Sequence, residues 1–434
     1  MKILIISSTP WDDSNSFGNT FSNLFTGMDN VEIYNLCCKN GKADNRIVVK
    51  ALQMTDKSVL KSIFKIGYDP VWEMTKETAI EKQKENAEVS TQAKKSRNIF
   101  AFMIRDCIWK LGTWKRSKTL NAFLEELKPD VIYLPIYAAP YMCDIQSYII
   151  DKLGVSVVGH ISDDVYGYPP KTSIVEKWYR DGLRKKLRNL ISRCSYLEVF
   201  AQNMKTEYEE LFNIPCFLIG KGVREEEIPC VENLDGHKES LTFVYTGNLG
   251  SERYKVLAKI GDALEALQSK NAVLDIYSAT ELDENMEKAF AACPKICFKG
   301  AISKEEVDKV QRKADFLVHV ESFSEQAIFS AKMSFSTKII DYMMAGKPIF
   351  AVGPEEVNSI TVLQEKELAV VAASIDGIET ALKDAFENKE KIATVLKNVE
   401  NYLHKERVIT NIQSGIKERL TKLIQGKKNE GITD

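Results

Sequence analysis

Ser334-Phe335-Ser336-Thr337-Lys338-Ile339-Ile340-Asp341-Tyr342-Met343-Met344-Ala345-Gly346-Lys347-Pro348-Ile349-Phe350-Ala351-Val352-Gly353 reads as a helix, a stop and a strand in quick succession. Hydroxyl residues open an apolar-periodic helix. Lys338 and Asp341 sit three apart on one of its faces, Gly346 closes it, and Pro348 leads into a buried strand. The first N–H groups of such a helix have no intrahelical partner, and its N-terminus is the positive end of the dipole, so an anion is favoured there. Lys338 adds a point charge, and Asp341 lies one turn deeper, placed to accept from ribose hydroxyls. The same residues also suit an ordinary amphipathic helix with a hydroxyl cap and a glycine stop.

Outward from this stretch, short apolar runs alternate with helical segments twice over. In the second half the expected strands are 241–245, 272–277, 296–299, 316–320, 348–352 and 369–371. In the first half they are 2–7, 31–36, 131–134, 155–160, 197–201 and 216–219. This rhythm predicts an α/β protein with two open parallel sheets, helices covering both faces of each. Gly220-Lys221-Gly222-Val223 and the polar stretch after it read as the linker. The expected units are residues 1–222, residues 223–388, and a charged helical segment, 389–434, crossing back onto the first domain.

At 434 residues the chain exceeds what one core supports, in agreement with two domains. A formal net charge of −2 gives no global field for nucleic acid or another polyanion. Nine cysteines without a repeated C-x-x-C pair, two of them the adjacent Cys37 and Cys38, suit neither a disulfide framework nor a zinc site. Free thiols in a reducing cytoplasm are expected. The opening Met1–Ile6 run is too short for a signal peptide, and no stretch approaches the ~20 apolar residues that span a bilayer.

Residues 50–120 read as a lysine-rich, mostly helical insertion carrying Trp72, Trp109 and Trp114. Within 92–118 there are eight lysines and arginines against Asp106 alone, a balance of +7. With Ile99, Phe100, Phe102, Met103, Ile104, Ile108, Trp109 and Leu111 interleaved, this segment suits a basic amphipathic face lying on an anionic membrane, or a solvated helix whose apolar side is core.

Phe243-Val244-Tyr245-Thr246-Gly247-Asn248-Leu249-Gly250-Ser251-Glu252-Arg253 places a strand, a glycine-containing turn and an arginine ahead of a helix expected over 255–268. The glycines let a ligand approach the backbone, and Arg253 is placed to reach a diphosphate. Arg253 and Lys338 would then share the crevice at the carboxyl ends of neighbouring strands. Val157-Val158-Gly159-His160-Ile161-Ser162-Asp163-Asp164 puts a histidine and two carboxylates at another strand end. The alternative there is a capped turn. No G-x-G-x-x-G fingerprint is present, which counts against a dinucleotide dehydrogenase.

Taken in order, these motifs resemble the GT-B nucleotide-sugar glycosyltransferases, specifically the large retaining family 4. The Tyr245–Gly250 turn with Arg253 resembles the family's first donor-domain loop. Phe298-Lys299-Gly300-Ala301-Ile302 resembles the glycine turn whose main chain meets the nucleobase, and Ser336-Thr337-Lys338 through Pro348 resembles the hydroxyl-lysine, acid, Ala-Gly-Lys-Pro segment. Gly18, in Phe17-Gly18-Asn19-Thr20, resembles the first-domain loop that faces the donor, and His160 the histidine or acid held near the transferred sugar.

The resemblance implies a retaining, metal-independent transferase with no required cofactor. Its donor would be a nucleoside-diphosphate sugar, UDP-sugar favoured, and its acceptor a glycan or glycolipid of cell-surface polysaccharide synthesis, with the protein in the cytoplasm or on the inner face of the membrane. It casts His160, Asp163, Arg253 and Lys338 as catalytic, and Gly18, Gly247, Asn248, Arg253, Lys299, Gly300, Ala301, Ser336, Thr337, Lys338 and Asp341 as donor-binding. Two departures stand out. Many relatives carry two glutamates with seven residues between them, where this chain has Met333 and Asp341, so Glu321 or Glu325 is a candidate substitute for the missing acid, although a solvated loop carboxylate is the plainer reading of each. The first-domain loop has one glycine where many relatives have two. A non-catalytic GT-B-like subunit and a nucleotide-sugar epimerase remain alternatives.

Overall fold

A computed structural model of the chain describes residues 1–75, 99–230, 240–267 and 271–430. Among these residues the first domain holds an eight-stranded sheet. Its strands are β1 (Lys2–Ser7), β2 (Glu32–Cys37), β3 (Val48–Gln53), β4 (Trp72–Glu73), β5 (Val131–Pro135), β6 (Ser156–Ile161), β7 (Tyr196–Val199) and β8 (Cys216–Leu218), in the spatial order β4-β3-β2-β1-β5-β6-β7-β8. The β3–β4 pair is antiparallel and the other pairs are parallel. The second domain holds β9 (Ser240–Thr246), β10 (Asn271–Tyr277), β11 (Ile296–Gly300), β12 (Phe316–Val320), β13 (Ile349–Val352) and β14 (Val370–Ala372). Their order is β11-β10-β9-β12-β13-β14, all parallel.

Apolar runs become strands because both faces of each sheet are covered, and the period of two divides each run between two cores. In β1, Leu4 and Ile6 enter the cluster under helices Lys118–Leu127, Pro140–Leu153 and Ile174–Ile191, while Ile3 and Ile5 enter the cluster on the other face. In β13, Phe350 and Val352 go one way and Ile349 and Ala351 the other.

The second core of the first sheet is completed from the far end of the chain. Helix Ile409–Glu430 lays Ile416 and Leu420 against Ile3, Phe21 and Val131. Its Arg419 guanidinium pairs with the fully buried Glu198 carboxylate at 2.5 Å, and Tyr133 Oη donates to the same carboxylate at 2.6 Å. The two chain crossings between the domains run side by side, with Val223 bridged to Val408. Gly222 is required there, because a Cβ at that position would come within 2.8 Å of the Ile409 Cα. Asn23 clasps Gly222 from the first domain, accepting from its N–H at 2.8 Å and donating to its carbonyl at 2.9 Å.

The stretch expected as a mostly helical insertion departs from expectation at its start. Val48–Gln53 and Trp72–Glu73 are the two outermost strands at one side of the sheet, joined through helix Asp56–Phe64. Trp109 and Trp114 are core residues, 2% exposed, although they lie in a basic segment. All nine cysteines are free thiols.

Candidate functional site

In the second sheet the strand order reverses between β9 and β12. Crossovers leave that point toward opposite faces, so a crevice opens at the carboxyl ends of these two strands. Arg253 is the first residue of the helix after β9, Arg253–Ala266, and Glu321 directly follows β12. Their side chains meet at 2.9 Å, and Arg253 also donates to the Val320 carbonyl at 3.3 Å and to Asn248 Oδ1 at 3.2 Å. Lys338 reaches the same place from helix Thr337–Met344. Its ammonium lies 3.4 Å from the Thr246 carbonyl and 5.8 Å from the centre of the Tyr245 ring.

Gly247 makes this convergence possible. A Cβ there would stand 2.3 Å from Lys338 Nζ and 2.9 Å from Tyr245 Oη. Tyr245 is itself fixed, donating to the Asn248 carbonyl at 2.6 Å. The turn and the lysine are therefore built around one another.

Burial weighs against Arg253's charge, but the Glu321 carboxylate and Tyr245 outweigh it and hold the guanidinium above its ordinary pKa. Lys338 goes the other way. Its side chain reaches solvent, yet the protein atoms packed round the ammonium, with Arg253 beside it, lower its pKa against the opposing pull of Glu321 and Asp341. Two cations thus share a single buried carboxylate, an arrangement that attracts a further anion.

Five helices begin at this end of the sheet without a side-chain cap: Arg253–Ala266, Glu325–Ala331, Asn358–Glu365, Ile378–Glu387 and Thr337–Met344. Ser336, at the cap position of the last, uses its N–H to donate to Ser359 Oγ at 3.2 Å, and its hydroxyl makes no capping bond. Thr337 follows it in the first turn.

Two further residues join the cluster. Glu321, a candidate for the missing acid with a solvated loop carboxylate as its plainer sequence reading, is 6% exposed, because Arg253 supplies its counter-charge inside the crevice. His319, at the end of β12, is 7% exposed, and its Nε2 points to Glu321 at 3.5 Å and makes no hydrogen bond. Burial first, then the positive Lys338 and Arg253, push His319 down to about 4 despite the pull of Glu321. The signal was present in sequence, since His319 and Glu321 point the same way at a strand end, but only the arginine from the neighbouring strand gives it meaning.

The remaining predicted residues are dispersed. Asp341 pairs with Lys221 of the linker and lines a hollow of about 890 Å³ between the domains, together with Asn23, Thr26 and Gln311. Arg253, Lys338 and Glu321 do not line that hollow. The two cations around the buried carboxylate thus gather apart from the hollow. One helix carries both Lys338 and Asp341 and joins the two features. Lys299 pairs with Asp275 at 3.4 Å on the exposed side of β11, two strands from β9; Gly300 turns there with a φ of 75°, followed by the exposed Ala301. Gly18 packs against its own loop, where a Cβ would strike the Asp12 carbonyl at 2.0 Å.

His160 stands apart from the cation cluster. It is 3% exposed, lies among the rings of Phe21, Tyr133 and Phe200, and has Tyr133 Oη 3.3 Å from its Nδ1. Burial pushes it down to about 3. The two neighbouring aspartates divide their work. Asp164 is the capped turn, accepting from Tyr166 N–H, Gly167 N–H and Tyr208 Oη, whereas the exposed Asp163 accepts from Ser334 Oγ of the second domain at 2.6 Å. Beside that bond Asn203 donates to the Lys332 carbonyl at 2.7 Å, and Met333, 3% exposed, sits in the first domain's apolar cluster. Glu325 is exposed and pairs with Lys171 at 3.2 Å. His404 is a surface residue beside Glu225; His237 lies outside the described residues. Among the described residues no group of three or more His, Cys, Asp or Glu is placed to hold a metal ion.

No protein-family model and no curated protein matches the chain. Solved structures match it over nearly its whole length. HepE of Anabaena, in complex with UDP and glucose, superposes with a TM-score of 0.61 at 12% identity, covering 97% of this chain and 100% of that one. Sucrose-phosphate synthase from Thermosynechococcus elongatus gives 0.62 at 11% identity, with 98% and 100% covered. The apo form of the lipopolysaccharide outer core galactosyltransferase WaaB gives 0.57 at 13% identity, with 96% and 100% covered. At these identities the likeness is one of fold: two Rossmann-like domains facing each other across a cleft, the GT-B arrangement.

Proposed function

We propose that the chain is a glycosyltransferase of the retaining family 4 type, taking a sugar from a nucleoside-diphosphate sugar, UDP-sugar favoured, and passing it to a glycan or glycolipid acceptor. The observation that carries this reading is the pairing of Arg253 with Lys338 around the buried Glu321, at the strand-order reversal and beside an uncapped helix N-terminus. Breaking the bond between the sugar and the leaving diphosphate develops positive charge on the sugar and negative charge on the diphosphate. Cations held in place beforehand stabilise that separated state more than the ground state. In this reading Asp341, released from Lys221, accepts from ribose, while Gly247 and Asn248 shape the diphosphate seat and Asp163 meets the acceptor across the cleft. Retention, the donor base and the cytoplasmic setting are inherited from the family resemblance.

A thermal-shift series of nucleoside diphosphates and their sugars tests donor binding, a selective stabiliser naming base and sugar together. Replacing Arg253 or Lys338 with alanine is expected to cut transfer by about 10²-fold; activity within a few-fold of the parent removes that residue from the mechanism. The anomeric form of the product tests retention. One observation favours a second reading. Met333 takes the place of an acid and packs into the first domain, which suits a GT-B subunit without catalysis of its own. Calorimetry that shows no binding of any nucleotide sugar would select it.

A further inference from the structure

We propose that the outer face of three first-domain segments, residues 56–66, 99–118 and 168–191, is a docking surface for an anionic lipid bilayer. The inference does not depend on the sugar-transfer reading. Although far apart in sequence, the segments are stitched into one layer. Trp109 Nε1 donates to Asp56 at 2.5 Å, and Tyr179 Oη donates to Asp106 at 2.6 Å. Their inward sides, with Val59, Trp109 and Leu183, belong to one core.

Their outward sides are unusually apolar. Of the fourteen large hydrophobic side chains left exposed among the described residues, eleven belong to this layer, among them Phe64 (80%), Ile66 (102%), Ile174 (89%) and Trp178 (67%). In helix Ile99–Leu111 the exposed Ile104, Cys107 and Leu111 recur at the spacing of one helical face, opposite the buried Trp109. Between helices 99–111 and 140–153 and their neighbours lies a hollow of about 410 Å³, lined by Trp109, Trp114, Tyr148, Lys110 and Lys115.

The charge is just as uneven. The three segments carry fifteen lysines and arginines against four carboxylates, +11 in a chain whose total is −2. Each of the four carboxylates is engaged by a neutral donor of the same layer: Asp56 by Trp109, Asp106 by Tyr179, Glu176 by the Ser173 N–H, and Asp181 by Tyr168 Oη. From the helix behind, Asp144 and Asp151 also approach this face, matched by Lys186 and Arg193. Lys110, Lys115, Arg116, Lys118, Lys177 and Lys185 reach solvent among the apolar tips.

That interleaving decides between partners. A protein interface gathers its apolar residues into a core from which lysine is depleted, whereas a bilayer surface takes scattered apolar tips into its acyl boundary while lysines and arginines meet lipid phosphates. No helix among the described residues is long and apolar enough to cross a membrane, so the contact is peripheral.

Co-sedimentation of the full chain with phosphatidylcholine vesicles, and with vesicles of equal parts phosphatidylcholine and phosphatidylglycerol, tests the proposal. Binding to the anionic vesicles is expected to be at least about tenfold tighter and to weaken with salt. Replacing Lys110, Lys115, Arg116 and Lys118 with glutamine should reduce it about tenfold or more, and the Ile174→Ser/Trp178→Ser double variant should reduce it at low salt as well. Unchanged melting midpoints in both variants show that the fold is intact. Equal binding to the two vesicle types, no binding at low salt, or binding unmoved by both variants overturns the proposal. So does a dimer in light scattering that the double variant dissociates, since the face would then belong to a second copy.

Discussion

Substituting Gly247 with alanine tests the proposed anion seat apart from the rest of the fold. The added Cβ would stand 2.3 Å from Lys338 Nζ, where ordinary contact begins at 3.4 Å, so one side must yield by the difference, about 1.1 Å. On its other side are Tyr245 Oη at 2.9 Å and Cζ at 3.1 Å, but that ring is buried and tied to the Asn248 carbonyl. Lys338, the free end of a flexible chain, is what moves. Gly247 is not among the positive-φ residues, so alanine suits the backbone and trims unfolded-state entropy by about 0.4–1 kcal/mol. Stability should therefore change by no more than about 1 kcal/mol. Binding should not be spared, because a charged hydrogen bond is worth about 1.5–3 kcal/mol, which predicts UDP affinity roughly 10- to 100-fold weaker. A displacement of this size is also enough to cost about 10²-fold in turnover. The assay is calorimetry with UDP beside urea unfolding of the same samples, with Gly250→Ala as control, since its Cβ meets only Asn248 Oδ1 at 3.4 Å. An alanine variant that unfolds like the parent and binds UDP within a few-fold of it refutes the reasoning.

Three further expectations can be checked by unfolding. Glu321→Ala leaves the Arg253 guanidinium without its counter-charge and should destabilise the protein by about 3 kcal/mol, the low end for a buried pair because Arg253 is partly solvated; saturating UDP should recover part of that loss, and urea melts with and without the nucleotide measure it. Burial holds His319 near 4 and His160 near 3, below the unfolded value of about 6.5, so the stability each contributes is complete above that value and is lost as the pH falls toward its folded pKa. The slope is at most about 1.4 kcal/mol per pH unit for each histidine, and His319→Gln should flatten the denaturant-midpoint profile between pH 6.5 and 4 relative to the parent. Arg419→Ala strands the fully buried Glu198 and should cost about 3–5 kcal/mol, with the Arg419→Ala/Glu198→Gln double variant recovering part of it.

Sequence periodicity revealed the sheets where strands are buried on both faces. Each of the twelve expected runs is a strand, within two residues at its ends; nine are interior strands, which have to be continuously apolar, while β8, β11 and β14 are edges whose short apolar runs still mark them. The two missed strands are at an edge. Val48–Gln53 carries Lys50 among its apolar residues and pairs outward only with the two-residue β4, so it never forms a clean apolar run. For the site, the residues legible in advance were those on a strand-end turn or in a helix's first turn, namely Gly247, Arg253 and Lys338. Glu321 and His319 were visible but ambiguous. A carboxylate in a polar loop has no sequence mark that tells a solvated side chain from one neutralised by an arginine 68 positions away. His160 is the reverse case, for its motif suggested a strand-end ligand, while the rings of Phe21, Tyr133 and Phe200 surround it, a setting that no sequence mark announces.

Met333 gives the cleft a threshold. Its side chain is held in the apolar cluster of the opposite domain, so separating the two lobes returns it to water, an expense of about 2 kcal/mol for a methionine of this burial. That figure alone weights the balance toward the closed lobes over the gaping form by about thirtyfold, and the Ser334–Asp163 bond adds to it. A bulky guest that enters only the gaping form meets an apparent affinity lowered by the same factor. Trimming residue 333 to alanine would admit such a guest more readily, without touching any group that holds it.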